Sequence, residues 1–504
     1  MDATAGGQTI AIIGGGISGL SAAWELCTTA PDTTRIVVLE ASDRVGGLLR
    51  SVGIGGRQID VGADAFLARR PEAKQLCDEL GISPDLVPPR SGHASVWARG
   101  SLRALPDGLV LGVPTRLGPL ARSGIVSATA LARASLDLVL PAARQVVDDM
   151  SVGEIVSRRL GHEVKDLVAG PLVGGINAGR VDELSAEAVF PALLDAYRDG
   201  GSLMRELRSD TSAPAGGGPG AVTAGAGGAP APVFLTPSSG MASIPAALRD
   251  ALEARGVAIA TSEEVRGLVR SGGGWGLQTS RRDLDVEGVI VATPARVAAR
   301  LVSDVDVELA RLLGSLHTAS VVVVTLRFDR SSIDAPLEGT GFLVPAVDTT
   351  LVTASTFLTT KWPHMSRDGD VLLRASAGRS GDDRTSEMSD EQIVSTVLSE
   401  LGDMLGGLGD PAEVVVSRFD ESFPQYLVGH VGWAGDVHER TASHHGLALA
   451  GSSYLGIGVP ACIASGRRAA RIVADELGVV PMQGTVRAVN SESSESSQTS
   501  ETRA

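Results

Sequence analysis

The stretch TIAIIGGGISGLSAAWEL, which runs from Thr9 to Leu26, decides the fold of this chain. It begins with a short apolar run, Thr9 to Ile13, that predicts a buried strand, and it continues through a glycine-rich turn. The segment after the turn has helical periodicity, with small residues that can face a sheet. A second apolar run, RIVVLE from Arg35 to Glu40, predicts the next strand. This order of strand, helix and strand predicts a parallel α/β unit at the start of the chain.

The turn carries the spacing GxGxxG, at Gly14, Gly16 and Gly19. Glu40 ends the next strand about 20 residues further on, where a Rossmann-type unit places the acid that accepts from a ribose hydroxyl. The glycines allow a pyrophosphate to approach backbone N–H groups at the start of the helix. A tight turn without a ligand is the alternative, but the flanking strand and helix favour a dinucleotide. The predicted contacts are Gly14, Gly15, Gly16, Ile17, Ser18, Gly19 and Glu40.

The next segment, ASDRVGGLLRS, bears on which dinucleotide is bound, because the first motif alone does not separate NAD from FAD. It places Arg44, Gly46 and Gly47 directly after Glu40. A second glycine pair here indicates a ligand that continues along the chain, with Arg44 near its phosphates. Taken alone, the segment would fit an ordinary glycine loop with a surface arginine equally well.

Composition limits the class of protein. A length of 504 residues predicts two or three domains, and the formal charge of −15 argues against a nucleic-acid partner. Lysine occurs only at Lys74, Lys165 and Lys361, so recognition of an anion is expected to rely on arginine. The three cysteines are far apart and indicate neither a disulfide framework nor a metal site. No apolar run reaches membrane-spanning length, and no signal segment is visible.

The middle of the chain divides by composition. The region from Leu86 to Arg208 is rich in leucine and arginine and has mainly helical periodicity. The segment from Ser209 to Pro232 is a mixture of Gly, Ala, Pro and Ser, which predicts a flexible insertion. Strand-like runs follow, of which Ala319 to Asp329 is the most apolar, and the polar tail after Val480 is expected to be disordered.

A second glycine turn stands near the end of the chain, in AGSSYLGIGVPACIASGRRAARIVADEL from Ala450 to Leu477. It reads as the end of a strand, a glycine turn, a proline suited to a first helical turn and then a helix. A packed terminal helix after a glycine turn is the alternative interpretation.

The sequence resembles a known family, the flavin-dependent porphyrinogen oxidases, within the broader amine-oxidase-like flavoproteins. The similar segments cover nearly the whole chain except the Gly/Ala/Pro-rich segment and the tail. They are IIGGGISGLSAAWEL, LEASDRVGGLLRS, IDVGADAFLARRPEAKQLCDELG, GPLVGGINAGRVDELSAEAVFPAL, SSGMASIPAALRDAL, VIVATPA, TFLTTKWPH and the C-terminal stretch. The pieces INAGRVDELSAEAVFP and TTKWPH resemble in particular the soluble Gram-positive enzymes that oxidise coproporphyrinogen III, whereas membrane-associated relatives oxidise protoporphyrinogen IX.

The resemblance implies an FAD-dependent oxidase of heme biosynthesis. Six electrons would leave coproporphyrinogen III in three hydride transfers to the flavin, and dioxygen would reoxidise the flavin with release of hydrogen peroxide. The cofactor carries out such chemistry. The protein's tasks are therefore to bind and orient the cofactor and the substrate and to supply electrostatic stabilisation. This agrees with a sequence that has no catalytic triad and no metal cluster.

The resemblance also assigns the C-terminal turn and two other segments to the FAD. The start of the late helix would supply free N–H groups and a positive dipole end to the reduced flavin ring. Val265 would hold the adenine through its backbone, and VIVATPA, Val289 to Ala295, would lie against the dinucleotide, although ordinary core explains both segments too. The expected contacts in the late stretch are Tyr454, Gly456, Ile457, Gly458 and Val459.

Contacts with the substrate or a part in catalysis are expected from four acidic or basic positions. Arg69 and Arg70 are candidates for a clamp on the substrate's propionates, because arginine forks match carboxylates, with solvated surface arginines as the alternative. Asp64 stands where the family faces its substrate. Lys361, within TTKWPH, is the only candidate for a catalytic side chain: it could approach the flavin or a propionate, with a loop cap as the alternative.

Several alternatives remain open from the sequence. Protoporphyrinogen IX is the alternative substrate. A flavin amine oxidase would need aromatic rings beside the flavin, and this chain is only 3% aromatic. A carotenoid desaturase would show a more apolar entrance. A dinucleotide-binding protein without catalysis fits the C-terminal stretch least well.

The predicted fold is α/β: a Rossmann-type FAD-binding domain built from discontinuous segments, a mixed-sheet substrate domain and a helical subdomain. The FAD-binding parts are 1–66, 233–300 and 431–479; the substrate-binding and helical parts are 67–208 and 301–430; the insertion is 209–232 and the tail 480–504. The expected partners are a porphyrinogen and dioxygen. The protein is expected in the cytoplasm, and peripheral membrane contact, transient contact with other heme-synthesis enzymes and the oligomeric state are left open.

Overall fold

The computed structural model of the chain describes residues 7–90, 93–139, 147–209, 222–224, 230–333, 336–367 and 369–479. None of the helices within these residues is both long enough and apolar enough to cross a membrane.

A five-stranded parallel sheet forms the first layer of the fold. Its strands, in spatial order, are Ala258–Ala260, Arg35–Leu39, Thr9–Ile13, Gly288–Val291 and Leu447–Leu449. They come from three distant parts of the chain, so the predicted discontinuous Rossmann-type unit is confirmed. Three of the strands read as continuous apolar runs because a parallel sheet covered on both faces buries consecutive side chains.

Alternate residues of the strands enter two different cores, as the two-residue period of a strand requires. Ile10 and Ile12 pack with the helices Ile17–Thr29, Ser243–Glu253 and Val459–Glu476. On the opposite face, Ala11 and Ile13 belong to a second core, which they share with three helices and three antiparallel strands. These elements are the helices Ala295–Leu301, Val307–Gly314 and His430–Ala442 and the antiparallel strands Val265–Ser271, Gly274–Thr279 and Asp283–Val286.

A seven-stranded sheet forms the second large layer. Its order is Glu413–Pro424, Thr318–Phe328, Val371–Ala377, Val352–Phe357, Gly341–Leu343, Ala94–Ala98 and Ser101–Ala104. Only the pair Gly341–Leu343 and Ala94–Ala98 is parallel within this sheet, so the predicted mixed sheet is confirmed. Val322 and Val324 pack on one face with the helix Asp390–Leu405, which leaves Val321 and Val323 on the other face, where they line a cavity.

A helical region covers the remaining side. Its helices are Leu117–Ser123, Ala128–Ser135, Val152–Leu160, His162–Val164, Lys165–Gly174, Gly175–Asn177, Ala186–Val189, Pro191–Asp199 and Leu203–Ser209, with a 3₁₀ turn at Leu136–Leu138. The buried carboxylate of Asp137 ties this region together, because it pairs with Arg159 at 2.8 Å and accepts from the backbone N–H groups of Leu203 and Met204. A buried carboxylate held by both a cation and a helix start has its charge compensated.

Short elements connect the layers. They are the strands Ser51–Ile54, Arg57–Asp60, Phe66–Leu67, Leu86–Val87, Leu109–Val110, Val113–Pro114, Val222–Ala224, Pro230–Pro232 and Phe234–Pro237, the helices Pro71–Glu79, Leu358–Lys361 and Arg384–Glu387, and the 3₁₀ turns Ser83–Asp85, Arg330–Ser332, Ala346–Asp348 and Pro363–Met365.

The expectation of helical structure from Leu86 onward is wrong for its first part. Residues Ala94–Ala98 and Ser101–Ala104 form a hairpin at the edge of the large sheet, and the first helix of the region begins at Leu117. The reason is the two-residue period of ASVWA, whose side chains alternate between buried and partly exposed.

Two further expectations fall mainly outside the described residues. The tail 480–504 lies wholly outside them, and the insertion 209–232 is described only at Ser209 and at the antiparallel pair of Val222–Ala224 with Pro230–Pro232. The predicted flexibility of the insertion and disorder of the tail stay predictions.

Candidate functional site

A cavity of about 1180 Å³ lies where the loops of the parallel sheet meet the large sheet and the helical region. This volume exceeds the range of about 300–1,000 Å³ usual for a site that holds one small ligand. One end is lined by the glycine turns and the other by the strand residues Val321 and Val323 and by the helical segment 170–182. The cavity can therefore hold an extended ligand and a second large molecule.

The first glycine turn forms one end of the cavity. Gly14 adopts a φ of 105°, which glycine tolerates, and Gly16 is the residue from which the helix Ile17–Thr29 begins. A Cβ on Gly16 would meet no atom within 4 Å, so this N-terminus is open to a ligand. Gly14, Gly16, Ile17 and Ser18 line the cavity, whereas Gly15 and Gly19 support the turn from behind. A Cβ on Gly19 would lie 1.9 Å from the carbonyl oxygen of Gly14, so this glycine serves helix packing.

The carboxylate of Glu40 holds the turn from the adjacent strand. One of its oxygens accepts from the N–H of Gly15 at 2.7 Å, and the other accepts from the N–H and the hydroxyl of Ser42. Glu40 also lines the cavity. A carboxylate in this position both fixes the glycine turn and presents an acceptor to a ribose hydroxyl.

The second glycine pair lies against the first turn. Gly46 donates its N–H to the carbonyl of Gly15 at 2.8 Å, and both Gly46 and Gly47 line the cavity. The guanidinium of Arg44 is turned back onto this loop and donates to the carbonyl of Gly47 at 2.9 Å. Arg44 does not line the cavity, so the structure places it as a brace of the loop and not in contact with the space where phosphates would lie.

The late helix start forms a second N-terminus on the same cavity. The helix Val459–Glu476 begins after Gly458, and Ile457, Gly458 and Val459 line the cavity. Gly456 is set back from the cavity and adopts a φ of 140°, where a Cβ would lie 2.6 Å from the Cβ of Ala461. The free N–H groups of this 18-residue helix and its positive dipole end thus face the interior of the cavity.

Tyr426 fixes the loop that leads into the late helix. Its hydroxyl donates to the carbonyl of Ser452 at 2.6 Å and accepts from the N–H of Gly456 at 2.7 Å. The ring of Tyr426 stacks on His430 with centroids 3.7 Å apart, and His430 contacts the carbonyl of Tyr454 at 2.7 Å. The loop is therefore held by two side chains from a segment outside it, and sequence reasoning gave Tyr426 no role.

Tyr454 is placed differently from the prediction. Its side chain is fully buried, lies outside the cavity lining, and stacks parallel to Trp433 with centroids 6.1 Å apart. Its hydroxyl has no hydrogen-bond partner among the described residues, and burial raises the pKa of Tyr454. Packing against Trp433 and His438 turns the ring into the core behind the loop.

Two further segments predicted to contact the cofactor also line the cavity. Val265 and its neighbour Glu264 line the cavity, and so do Ala292, Thr293 and Pro294 from the predicted VIVATPA segment. The N–H of Ala295 donates to the hydroxyl of Ser453 at 3.1 Å, which ties this segment to the late glycine loop.

These groups fit one flavin dinucleotide. An open glycine turn with an adjacent ribose acceptor can hold a pyrophosphate and an adenosine, and a second helix N-terminus on the same cavity can face an electron-rich ring. The open space at Gly16 and the exposure of Gly458 to the cavity are the two observations that support this fit.

A buried charged group stands beside the cavity. Asp64 lines it and is held by Lys361 at 2.7 Å and Arg374 at 3.2 Å, while the indole N–H of Trp362 donates to the same carboxylate at 3.2 Å. Arg374 also lines the cavity and donates to the carbonyls of Asp60 and Gly62. Burial alone would raise the pKa of Asp64, but the charges of Arg374 and Lys361 outweigh it and hold the pKa far below the ordinary value.

Lys361 reaches this group from outside the cavity lining. The amine is buried, and burial lowers its pKa although the Asp64 carboxylate opposes this. The structure thus brings together two predicted residues, Asp64 and Lys361, as an ion pair. It gives Lys361 a contact with Asp64 in place of a contact with the cavity.

The predicted propionate clamp is not at the cavity. Arg69 and Arg70 lie outside its lining, and Arg70 pairs with Glu72 at 3.0 Å with about half of its side chain exposed. The two arginines stand at the start of the helix Pro71–Glu79, which packs on the late helix on the far side of the loops. The arginines that do line the cavity are Arg180, Arg300, Arg374, Arg379 and Arg384.

The wall opposite the glycine turns is apolar with few aromatic rings. Val321, Val323, Phe419 and Phe423 line it, and the two phenylalanines are the aromatic residues of the lining among the described residues. No pair of tyrosine or tryptophan rings faces the cavity there, so the aromatic cage of an amine-binding site is absent from the described lining. This wall suits a broad apolar molecule.

Part of the cavity lining is exposed to solvent, and we call this part the mouth. It is formed by Ile176, Arg180, Val347, Arg379 and Arg384. Ile176 and Val347 are 54% and 56% exposed, which is high for large apolar side chains. The mouth therefore combines apolar surface with cationic groups.

Sequence reasoning missed Tyr426, Arg374 and the arginines of the mouth. The chain has only three tyrosines, but the choice between Tyr426 and Tyr454 depends on which ring points at the loop. The mouth arginines stand in segments 378–384 and 175–182, where only the GRSGDDR turn offers a signal, namely two glycines that flank an arginine.

The chain is similar to known proteins over nearly its whole length. Residues 17–474 match the family described as Flavin containing amine oxidoreductase. The chain is 34% identical over 469 residues to the coproporphyrinogen III oxidase of Bacillus subtilis. The aligned region covers 92% of this chain and 97% of the relative. It is 31% identical to the protoporphyrinogen oxidase of Bos taurus, with 94% of this chain and 99% of the relative covered. Among solved structures, a putative protoporphyrinogen oxidase from Exiguobacterium superimposes with a TM-score of 0.81 at 29% identity, over 94% of this chain and 99% of the other.

Proposed function

Since the chain belongs to the flavin-dependent porphyrinogen oxidases, within the flavin-containing amine oxidoreductases, we propose that it oxidises coproporphyrinogen III to coproporphyrin III with FAD as its cofactor and dioxygen as the acceptor. The chain is thus a flavin-dependent oxidoreductase of porphyrinogen oxidation in heme synthesis, and the proposal concerns its substrate, its particular flavin and its oxidant.

One observation carries the proposal: a single cavity joins two helix N-termini at one end to an apolar wall and a cationic mouth at the other. A flavin dinucleotide needs both N-termini, and a porphyrinogen needs a wide apolar space with cations at its edge. A cavity of about 1180 Å³ has room for the two molecules together.

FAD fits better than a mononucleotide flavin because of the first turn. Gly14, Gly16 and Glu40 line the cavity in the arrangement that holds a pyrophosphate and an adenosine ribose. Val265 lies beside Glu264 and the same space, in a position suited to the adenine. A mononucleotide would leave these groups without a ligand.

The overall reaction removes six electrons and six protons from the substrate. One coproporphyrinogen III and three O2 give one coproporphyrin III and three H2O2. The flavin, when bound, supplies the two-electron acceptor for each of the three rounds.

The chain's own residues bind and orient the flavin and the substrate, and they stabilise negative charge in the cavity. The N–H groups and dipole of the helix that begins at Val459 favour negative charge at that end of the cavity, and the hydroxyl of Tyr426 keeps the preceding loop in place. The Asp64, Lys361 and Arg374 group adds two cations and one anion beside the cavity, so its net charge also favours an electron-rich neighbour. The apolar wall excludes water from the substrate.

The substrate preference follows from the mouth. Coproporphyrinogen III carries four propionates on its rim, and Arg180, Arg379 and Arg384 line the mouth with guanidinium groups that match carboxylates. The specificity for a tetracarboxylate over a dicarboxylate is proposed to come from these arginines. A water-soluble tetracarboxylate also favours a cytoplasmic enzyme, with transient contact to the enzyme that takes up the porphyrin.

Protoporphyrinogen IX is the second candidate substrate. Ile176 and Val347 are more than half exposed at the mouth, which suits the vinyl groups of this substrate or a membrane surface from which it could arrive. The protoporphyrinogen oxidase of Bos taurus is similar to this chain over nearly its full length.

The experiment that tests the proposal has two readouts on the purified holoprotein. The flavin released by acid should be FAD, and kcat/KM for coproporphyrinogen III should exceed that for protoporphyrinogen IX by about tenfold or more, since charged contacts contribute roughly that much discrimination. A preference for protoporphyrinogen IX would favour the second candidate, and no turnover of either would contradict the proposed function.

A further inference from the structure

Arg379 differs from the other arginines of the cavity. It follows the strand Val371–Ala377 in the turn that opens with Gly378, and it lines the cavity at the mouth. Its Nη2 atom is buried and has no hydrogen-bond partner among the described residues. Guanidinium nitrogens normally donate to an acid, a carbonyl or water.

The neighbouring arginines have partners or reach water. Arg384 donates to both carboxylate oxygens of Asp382 and to the carbonyls of Thr349 and Thr350. Arg180 lies 3.8 Å from Glu183 and is about half exposed. The N–H groups of these two guanidinium groups therefore find hydrogen-bond acceptors within the protein or in solvent.

The acids near Arg379 do not bind it. Asp382 and Asp348 lie close enough to act on its charge, yet neither forms an ion pair with Arg379 among the described residues, and Asp382 is taken by Arg384. Arg384 and Arg180 add positive charge around Arg379. Burial and these cations lower the pKa of Arg379. A bound anion would therefore stabilise the charged form of this side chain.

The turn that carries Arg379 is anchored to the opposite wall of the mouth. The N–H of Ser380 donates to the carbonyl of Ala178 at 2.8 Å, and Arg379 and Asp382 form a backbone bridge within the turn. The guanidinium is therefore presented by a fixed backbone. A preorganised donor of this kind binds a carboxylate with little loss of conformational entropy.

We propose that Arg379 binds a propionate carboxylate of the porphyrinogen through its guanidinium, which lines the cavity and forms no ion pair among the described residues. The inference rests on the proposed function for the identity of the ligand. A bound carboxylate pairs with this cation inside an apolar cavity. The binding free energy gained is therefore larger than that of an ion pair on the surface. Arg379 contacts the rim of the substrate and not its reacting carbons, so it binds ground and transition states alike.

The test compares Arg379→Gln and Arg379→Lys with Arg249→Gln as a matched control, because Arg249 is an exposed arginine paired with Asp250 outside the cavity. In steady-state oxidation of coproporphyrinogen III, Arg379→Gln is expected to raise KM by about tenfold or more and to leave kcat within about threefold, the pattern of lost uniform binding. Arg379→Lys keeps the charge without the fork and should fall between wild type and Arg379→Gln.

A second measurement separates this inference from the proposed function. Coproporphyrin III, the product, is titrated into each holoprotein without turnover, and tryptophan fluorescence reports binding. Weaker binding to Arg379→Gln by about tenfold supports the inference even if no porphyrinogen is oxidised. Unchanged KM and unchanged binding in Arg379→Gln, with wild-type flavin content, would overturn it while leaving the proposed function standing.

Discussion

A Cβ atom placed on Gly466 would lie 2.0 Å from the carbonyl oxygen of Ser18, so the helix Val459–Glu476 packs directly on the backbone of the helix Ile17–Thr29. The two helices carry the two N-termini that line the cavity. Their distance is set at this glycine, which therefore fixes the separation between the nucleotide end and the ring end of the proposed flavin site.

Gly466→Ala is expected to destabilise the protein by about 1–3 kcal/mol, because the added methyl meets backbone atoms that cannot move aside. The shift of the late helix should also weaken retention of the flavin. Thermal unfolding and the flavin-to-protein absorbance ratio after gel filtration measure both effects.

Gly432→Ala is the matched control for that change. Gly432 lies inside the helix His430–Ala442, and a Cβ there would meet nothing within 4 Å. Alanine should stabilise this helix by about 0.5–1 kcal/mol. Equal behaviour of the two variants would contradict the role given to the contact between Gly466 and Ser18.

Tyr426→Phe is expected to loosen the late glycine loop. The change removes one hydroxyl that serves both the carbonyl of Ser452 and the N–H of Gly456, and it leaves these backbone groups without that partner. A loss of about 1–3 kcal/mol is expected in the free energy of unfolding, together with faster flavin dissociation. Denaturant unfolding and flavin release kinetics are the measurements.

Tyr454→Phe should behave in the opposite way. The hydroxyl of Tyr454 is buried and has no partner among the described residues, so its removal is expected to leave stability unchanged or slightly increased. Flavin content and turnover should match the wild type. Loss of flavin in this variant, with none in Tyr426→Phe, would return Tyr454 to the site predicted from sequence.

Asp64→Asn tests the buried charged group. The variant leaves the buried cations Lys361 and Arg374 without their anion, for which a loss of about 3–5 kcal/mol is expected at pH 7. Urea unfolding measures this loss. Asp250→Asn, at an exposed carboxylate paired with Arg249, serves as the control and should change stability little.

The pH dependence of stability adds a second check on Asp64. The pKa of Asp64 lies far below its unfolded value of about 4, so the wild type holds the full contribution of this group above that pH. As the pH falls below about 4, the unfolded carboxyl takes up a proton and the contribution declines. Asp64→Asn has no such carboxyl, so the difference in unfolding free energy between wild type and variant should shrink between pH 5 and pH 3. A difference that does not depend on pH would contradict an ionised Asp64.

The parallel sheet could be predicted from sequence because its signals are local. Thr9–Ile13 and Arg35–Leu39 are apolar runs, and the glycines that follow the first run stand at fixed spacings. The hairpin Ala94–Ala98 with Ser101–Ala104 was missed because its place in the large sheet depends on pairing with Gly341–Leu343, far along the chain. Local periodicity cannot report such a partner.

The candidate site was predictable where backbone conformation decides it and not where side-chain direction does. Gly14, Gly16 and Gly458 line the cavity because glycine turns and helix starts have a fixed geometry. Arg70 and Arg379 are the same residue type in turns beside regular elements. Only the packing of whole layers places one against Glu72 on the surface and the other inside the mouth.

The stoichiometry of oxidation is the decisive measurement of whether this protein is an oxygen-using coproporphyrinogen III oxidase. The holoprotein is supplied with coproporphyrinogen III in air-saturated buffer, and coproporphyrin fluorescence, oxygen uptake and peroxide are followed together. One coproporphyrin III formed per three O2 consumed and three H2O2 released is the predicted result. A flavoprotein that forms no porphyrin, or that forms porphyrin without oxygen uptake, would contradict the account.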